Sequence, residues 1–377
     1  MSLEGKIRIT LHWDGKRIVY AALQPRSLAR IDALLRGKQP DQALQIIPML
    51  FSLCGKAQAA ACASALQAAL TASIPAIPLW RERLVLAEAV QELLWRFLLD
   101  LPRIMHAPAD PRLLVRLRQC FAACCIADAD ERAWQASIAE IEACVSDALF
   151  GDASETMRDI ADVDALMDCL RRANTSTAKI VLDCWQGEGR WGSSPVALMP
   201  CAEPERILAE LLPGLTDEAD FPSQPHWRGQ TMETGALARM QHHPLLAALL
   251  PREGTSILAR LLARLYEIDA LFIRLRATEI GAQAWVQGAA PAAGVGLAWV
   301  QNARGLLLHR VALDAQGAIS DYRIVAPTEW NFHPAGPCIQ GLSGKAAASA
   351  DEARHCAELL VQSLDPCVSY DIEVEHA

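Results

Sequence analysis

The tripeptide Asp365-Pro366-Cys367 closes an apolar helical run over Ala350–Leu364, and it fixes how the end of the chain must lie. Proline cannot extend the hydrogen-bond ladder and biases the residue before it out of the helical region, so the helix stops and Cys367 lands on an irregular segment. Near the other end, Cys54 precedes Gly55 and an alanine-rich stretch of strong helix propensity, which places it at a helix N-terminus. There the positive end of the helix dipole favours a thiolate, and a thiolate is a metal ligand or a nucleophile. Two single cysteines, each at the mouth of a helix, are candidates to meet in one site. A free cysteine more often simply packs, and core packing is the reading for Cys125, Cys144, Cys169 and Cys184. It is also the reading for Cys120 and Cys124, although their i, i+4 spacing is one that can hold a metal.

The 377 residues suffice for a sizeable core, and 52% hydrophobic against 21% charged residues excludes disorder. A net charge of -9 without any basic run argues against nonspecific nucleic-acid binding. The twelve cysteines are scattered through helical sequence with no secretion signal, which favours a reducing, cytoplasmic setting. Two uncharged stretches, Ala57–Trp80 and Gly281–Ala303, are long enough to raise the question of a membrane span. Polar residues and prolines in the first, and glycines and prolines in the second, make both better candidates for buried core.

The expected fold is α+β and mainly helical, with a small N-terminal β-hairpin and a small C-terminal sheet. The chain reads as a single domain, 1–377. Residues 1–24 form the hairpin, Ile7–Trp13 and Arg17–Leu23 around a turn at Asp14-Gly15, a dipeptide suited to positive φ. Residues 25–185 form a helical half, in which Arg81–Leu99 sets Leu84, Ala87, Gln91, Leu94 and Leu98 near one face and Glu88, Glu92 and Arg96 among the polar positions. An irregular linker follows at 186–231. Long core helices occupy 232–282; in Thr255–Arg276 the leucines face one side and Arg260, Arg264 and Glu267 the other. A small sheet lies in 283–340, with strands at Gly294–Val300, Gly305–Leu313 and Ala318–Val325, and a helix and cysteine loop in 341–377.

Several segments together resemble the nickel-iron hydrogenase large subunits. Cys54-Gly55-Lys56-Ala57 is similar to that family's early Cys-Gly-x-Cys, and Asp365-Pro366-Cys367 with Tyr370 and Glu373 to its final Asp-Pro-Cys-x-x-Cys-x-x-His. Met232-Glu233-Thr234-Gly235 through Arg239, Ala303-Arg304-Gly305, and Val325-Ala326-Pro327-Thr328-Glu329-Trp330-Asn331 match three more of its segments. Glu4-Gly5-Lys6 is similar to its opening Glu-Gly-His, where the glutamate helps move protons. Half of the cysteine ligands are absent: Ala57 and Tyr370 stand at the bridging positions and Glu373 at the terminal histidine.

The resemblance implies a large-subunit-like fold whose termini converge on a pocket. In the family an arginine and a small hydroxyl residue surround an iron with two cyanides and one carbon monoxide, and by position these are Arg304 and Thr328, with Asp365 lining the same cavity. Without bridging thiolates, hydrogen turnover is not expected: no nickel, no iron-sulfur cluster, no catalytic residues. Nor does Val374–Ala377 offer the long extension of hydrogenase precursors. The pattern resembles the HupK/HoxV-type hydrogenase maturation family, shortened large-subunit relatives that act as assembly platforms. It implies a noncatalytic scaffold that transiently holds the Fe(CN)2(CO) unit at Cys54 and Cys367, with Arg304, Thr328, Asp365 and Glu4 around it. Its partners would be HypC/HypD-type maturation chaperones and a hydrogenase large subunit. Because the surviving cysteines match terminal nickel ligands, the iron would sit shifted, or a partner's cysteine would complete its shell. The alternative is a metal-free interaction or chaperone protein that keeps the fold. An enzyme using Cys54 as nucleophile lacks a base at any recognisable spacing. His309, His333 and His376 receive no role.

Overall fold

A computed structural model describes residues 5–26, 29–125, 130–151, 160–200 and 203–377. The chain opens with the expected hairpin, β1 (Ile7–Trp13) and β2 (Ile18–Gln24). Its turn is held by the Asp14 carboxylate, which accepts from the backbone N–H groups of Lys16 and Arg17, while Gly15 takes φ +90°. Two short helices, α1 (Ala29–Leu35) and α2 (Pro40–Leu50), then deliver the chain to Cys54, the N-cap of α3 (Gly55–Thr71).

α3 packs directly on a four-stranded antiparallel sheet, and its alanines allow the close approach. That sheet comprises β5 (Val286–Ala292), β6 (Val295–Asn302), β7 (Gly305–Leu313) and β8 (Ile319–Val325), in spatial order β5-β6-β7-β8. At Gly296 the helix backbone touches the sheet: a Cβ there would lie 1.8 Å from the Ala65 carbonyl oxygen and 2.8 Å from the Ala69 nitrogen. Inward residues Ala298, Val300, Leu307 and Val311 join the main core, whereas Leu297, Trp299, Leu306 and Leu308 pack on the opposite face with Phe221, Trp227 and Trp330. With both faces covered, β6 and β7 read as near-continuous apolar runs. β5 lies ahead of the first strand read from the sequence, because Gly288 and Pro291 mask its pattern.

The helical half contains α4 (Leu79–Trp95), α5 (Pro111–Cys124), α6 (Glu131–Phe150), α7 (Val163–Ala173) and α8 (Ser176–Asp183). α4 runs on into a single wide π turn at Arg96–Asp100, a local irregularity that often accompanies functional sites. The 186–231 segment expected to be irregular includes a helical run, Pro204–Arg206, Ile207–Leu211 and Leu212–Asp217, and a short strand, β3 (Ala197–Leu198), which pairs parallel to β4 (Met232–Glu233), a strand at the start of the segment expected to be helical. Of the cysteines expected in the core, Cys120 is exposed on α5; Cys124, Cys169 and Cys184 are buried, and Cys125 and Cys144 are half-buried.

After α9 (Ala236–Met240) and α10 (Pro244–Glu253) comes the long core helix α11 (Ile257–Leu275), with Ser256 as N-cap: its hydroxyl accepts from Ala259 N at 3.3 Å. The polar side expected on this helix is buried too. Arg260 forms a two-pronged ion pair with Glu233 at 2.8 Å, and Glu267 pairs with Arg239. Beyond α12 (Pro327–Asn331) and α13 (Pro337–Leu342), α14 (Ala350–Leu364) ends at Asp365, whose φ of +58° turns the chain toward Pro366. The last strand, β9 (Tyr370–His376), pairs parallel to β1, giving the order β2-β1-β9. The two ends of the described chain are thereby joined, as expected. No helix among the described residues is long and apolar enough to cross a membrane.

Gly296→Val should force α3 off the sheet. Overpacking of this kind costs about 1–3 kcal/mol or more, and a lowered urea midpoint at unchanged helical content would register it.

Candidate functional site

Three loop segments meet where α3, α14 and the sheet converge, and hydrogen bonds between their own residues hold them together. The Asn331 side chain accepts from Thr234 N at 2.9 Å and donates to Thr234 O at 3.0 Å. The Thr234 hydroxyl accepts from Leu306 N at 3.0 Å. Gly235 and Gly305, at φ +122° and +130°, permit this approach: a Cβ on Gly305 would sit 2.3 Å from the Thr234 hydroxyl, and one on Gly235 3.1 Å from the Arg304 carbonyl. The result is a rigid mount for Arg304.

Asp365 is the charge at the centre. It is fully enclosed, accepts from Arg96 Nε at 2.7 Å, and lies 3.2 Å from Arg304 Nε. Burial pushes its carboxyl up, but the guanidiniums of Arg304, Arg96 and Arg264 outweigh that and hold it below the usual carboxylate range. Arg264 completes the frame by donating to the Gln362 and Ser363 carbonyls at 2.9 and 2.6 Å, satisfying the end of α14. Arg96 also pairs with Asp100 across the π turn.

Around this frame the two cysteines come together. Cys54 and Cys367 are 3% and 4% exposed, and their sulfurs are hydrogen-bonded to each other. The sharing is unequal. Cys367 is held well below an ordinary thiol, first by the hydrogen bond from Cys54 and then by Arg26 and Arg304 against the effect of burial, whereas Cys54 is pushed well above by that bond, by burial and by Glu88. The helix N-terminus was expected to favour a thiolate at Cys54; the hydrogen bond between the sulfurs, with Arg26 and Arg304 acting more strongly on Cys367 than on Cys54, instead favours the charge on Cys367. Thr328 Oγ1 lies within hydrogen-bond distance of Cys367 Sγ, at 3.1 Å, and can donate to it when the sulfur carries charge.

Arg304 is 2% exposed and donates through one Nη to Glu92 at 3.0 Å. Its Nε and its other Nη have no hydrogen-bond partner among the described residues, the 3.2 Å approach to Asp365 being misaligned for a bond. A buried cation with unspent donors is costly unless an acceptor fills the site. A cavity of about 610 Å³ opens from Cys367 past Glu92, Arg96 and Trp95 to Tyr370; Asp365, expected to line it, instead lines with Arg304 a separate small recess of about 10 Å³.

The structure thus brings Cys54, Cys367, Arg304, Thr328 and Asp365 into one place; Glu4 lies outside the described residues. Glu373, at the position of the resembled histidine, sits exposed on β9 opposite Thr10, away from the cysteines. Tyr370 lines the cavity and accepts from Gln362 at 2.9 Å. Ala57 is fully buried, and its N–H, with that of Lys56, is bound by Glu88, whose carboxyl burial raises to about 7. Among the described residues no further His, Cys, Asp or Glu joins the two sulfurs in a metal-binding cluster.

Sequence reading missed Arg26, Glu92, Arg96 and Arg264. Glu88, Glu92 and Arg96 recur at i, i+4, i+8 on α4 and its extension, and that charged stripe inside a strongly apolar helix was the available signal. Arg26 pairs with Glu329 at 2.6 Å across 303 residues, and no local pattern announces it.

The chain resembles known proteins over its length. A family profile described as nickel-dependent hydrogenase matches residues 251–372. The hydrogenase expression/formation protein HupK of Bradyrhizobium diazoefficiens is 31% identical over 383 residues, spanning 100% of this chain and 99% of that protein. HoxV of Cupriavidus necator, also a hydrogenase expression/formation protein, is 33% identical over 361 residues, spanning 91% of this chain and 90% of its own. Among solved structures, the reduced, active Ni-Fe-Se hydrogenase from Desulfomicrobium baculatum superposes with a TM-score of 0.60 at 15% identity, covering 95% of both chains. A second structure of that hydrogenase, H2-activated, gives 0.62 at 16% identity and 97% coverage of both. At such identity the likeness establishes the hydrogenase-like α+β fold.

Replacing Asp365 by Asn should destabilise the protein by about 3–5 kcal/mol, the cost of leaving buried guanidiniums uncompensated; urea unfolding measures it. His309, fully buried, supplies a pH dependence. Burial pulls its imidazole down to about 3, so as pH falls below about 6.5 the unfolded chain takes up a proton that the folded one refuses. Between pH 6.5 and 5 the wild type should lose about 1.6 kcal/mol in all more than His309→Gln.

Proposed function

Because this chain belongs to the HupK/HoxV family of hydrogenase expression/formation proteins, we propose that it is a noncatalytic scaffold that transiently holds an Fe(CN)2(CO) unit. It passes that unit to a nickel-iron hydrogenase large subunit. The observation that carries this reading is the hydrogen-bonded Cys54–Cys367 pair beside the unpartnered donors of Arg304. Soft thiolates suit low-spin iron carrying strong-field diatomic ligands. Metal-bound cyanide is an anionic acceptor, which Arg304 and Thr328 are equipped to satisfy.

Coordination favours transient rather than permanent holding. Two sulfurs and three diatomic ligands leave one position of an octahedral iron for a thiolate of the donor or the acceptor, so each transfer can proceed by ligand exchange. The cavity leading from Cys367 to the surface gives the unit a route in and out. HypC/HypD-type chaperones are the proposed donors. Nickel is excluded from this reading because the bridging positions hold Ala57 and Tyr370, and no iron-sulfur cluster is invoked. No disulfide joins any of the eleven described cysteines, which suits a cytoplasmic setting.

The protein purified without oxygen from cells that express the hydrogenase maturation machinery should show infrared bands of metal-bound carbon monoxide and cyanide. These should be absent from a Cys54→Ala, Cys367→Ala variant of unchanged circular dichroism. A blank wild-type spectrum, repeated with donor chaperones present, would overturn the scaffold in favour of a metal-free interaction protein with the same fold.

A further inference from the structure

His309 is the polar exception on the inner face of β7, set between Leu307 and Val311, and it is fully buried. Its ring bridges two partners: Nε2 lies 2.7 Å from Gln58 Oε1, and Nδ1 lies 2.7 Å from the Tyr322 hydroxyl. Gln58, also fully buried, stands one turn after Cys54 on α3 and directs its Nε2 toward Cys54 Sγ at 3.7 Å. The Tyr322 hydroxyl in turn meets the thiol of Cys62, one further turn along the same helix. Cys54, Gln58 and Cys62 thus form an i, i+4, i+8 stripe on α3, tied by the sheet's His309 and Tyr322 into one closed polar chain.

Such a chain has two registers, because a neutral imidazole carries one hydrogen. With that hydrogen on Nε2, His309 donates to the Gln58 carbonyl, the Gln58 N–H group faces Cys54, and Nδ1 accepts from Tyr322. With it on Nδ1, every bond reverses and the Gln58 carbonyl oxygen faces the sulfur. The side chains stand in the first register, with Gln58 Oε1 2.7 Å from His309 Nε2 and Gln58 Nε2 3.7 Å from Cys54 Sγ; the second would set oxygen lone pairs against sulfur lone pairs, and a thiolate there would be opposed outright. An amide cannot relay protons along the chain; it can only orient.

We propose that His309 is a positioning residue for Cys54: by holding its hydrogen on Nε2, it locks the Gln58 carboxamide so that an N–H is aimed at the Cys54 sulfur. The electronic consequence rests on the reading above that Cys54 binds iron. An N–H···S bond withdraws charge from a metal thiolate, as hydrogen-bonded outer groups generally tune the ligands they touch.

The register can be read without iron. In metal-free protein carrying 15N-labelled histidine, the His309 resonance, assigned by its loss in His309→Phe, should show the proton-bearing nitrogen to be Nε2. Should His309→Phe fail to fold, Tyr322→Phe gives the assignment through the signal it displaces. A proton on Nδ1, or an imidazolium at neutral pH, would overturn the proposal, whatever the protein binds. In the iron-loaded protein, Gln58→Leu and His309→Phe should keep the carbon monoxide band but move it to lower wavenumber, because a thiolate freed of its N–H partner donates more charge to iron. Bands unmoved in both variants would also overturn it. Absence of bands from the wild type would overturn only the scaffold reading, and the register would still be decided by the nitrogen spectrum.

Discussion

Everything in the site hangs on one buried carboxylate. Asp365 is enclosed by protein, yet it stays ionised because Arg96, Arg304 and Arg264 arrive from the π turn after α4, from the β6–β7 turn and from α11. Glu92 and Asp100 share in neutralising Arg304 and Arg96, but Asp365 is the one carboxylate that all three guanidiniums face, and it would not be tolerable without them. The cluster also dictates backbone geometry: Arg264 takes up the last carbonyls of α14, and the left-handed Asp365 turns the chain so that Cys367 faces Cys54. An electrostatic requirement thus becomes a positional one for the sulfurs.

The same cluster explains which cysteine is charged. A helix N-terminus contributes a fraction of a charge, whereas Arg26 and Arg304 contribute whole ones in a medium that screens them poorly. Together with the hydrogen bond between the sulfurs, they favour the charge on Cys367 over Cys54, the reverse of what α3 alone would produce. The stored asymmetry gives the two sulfurs different reactivities within hydrogen-bond distance of each other.

Local patterns announced a good deal of this. The hairpin, α14 and the end of the chain were legible from Asp14-Gly15, from apolar spacing and from Asp-Pro-Cys. Cys54, Cys367, Arg304, Thr328 and Asp365 were placed by resemblance of short segments, and the fold brings those five together. What stayed hidden was long-range and polar. Arg260, Arg264 and Glu267 looked like the solvated side of α11, since periodicity separates apolar from polar residues but cannot tell a solvated charge from one buried against a distant partner. β5 and β9 were missed because Gly288 and Pro291 break the pattern of one strand, while β9, rich in charge, takes its pairing from β1.

That last pairing orders events in time. β9 is synthesised long after β1, and their parallel register, from Ile7 opposite Tyr370 to Trp13 opposite His376, closes a loop over all the sequence between them. Contacts of such separation are entropically the slowest to form. Cys367 lies just before β9, so until synthesis has passed β9 a nascent chain has Cys54 but no second sulfur held beside it. Synthesis and pairing of β9 are therefore built into the architecture as a condition for assembling the two-cysteine pair.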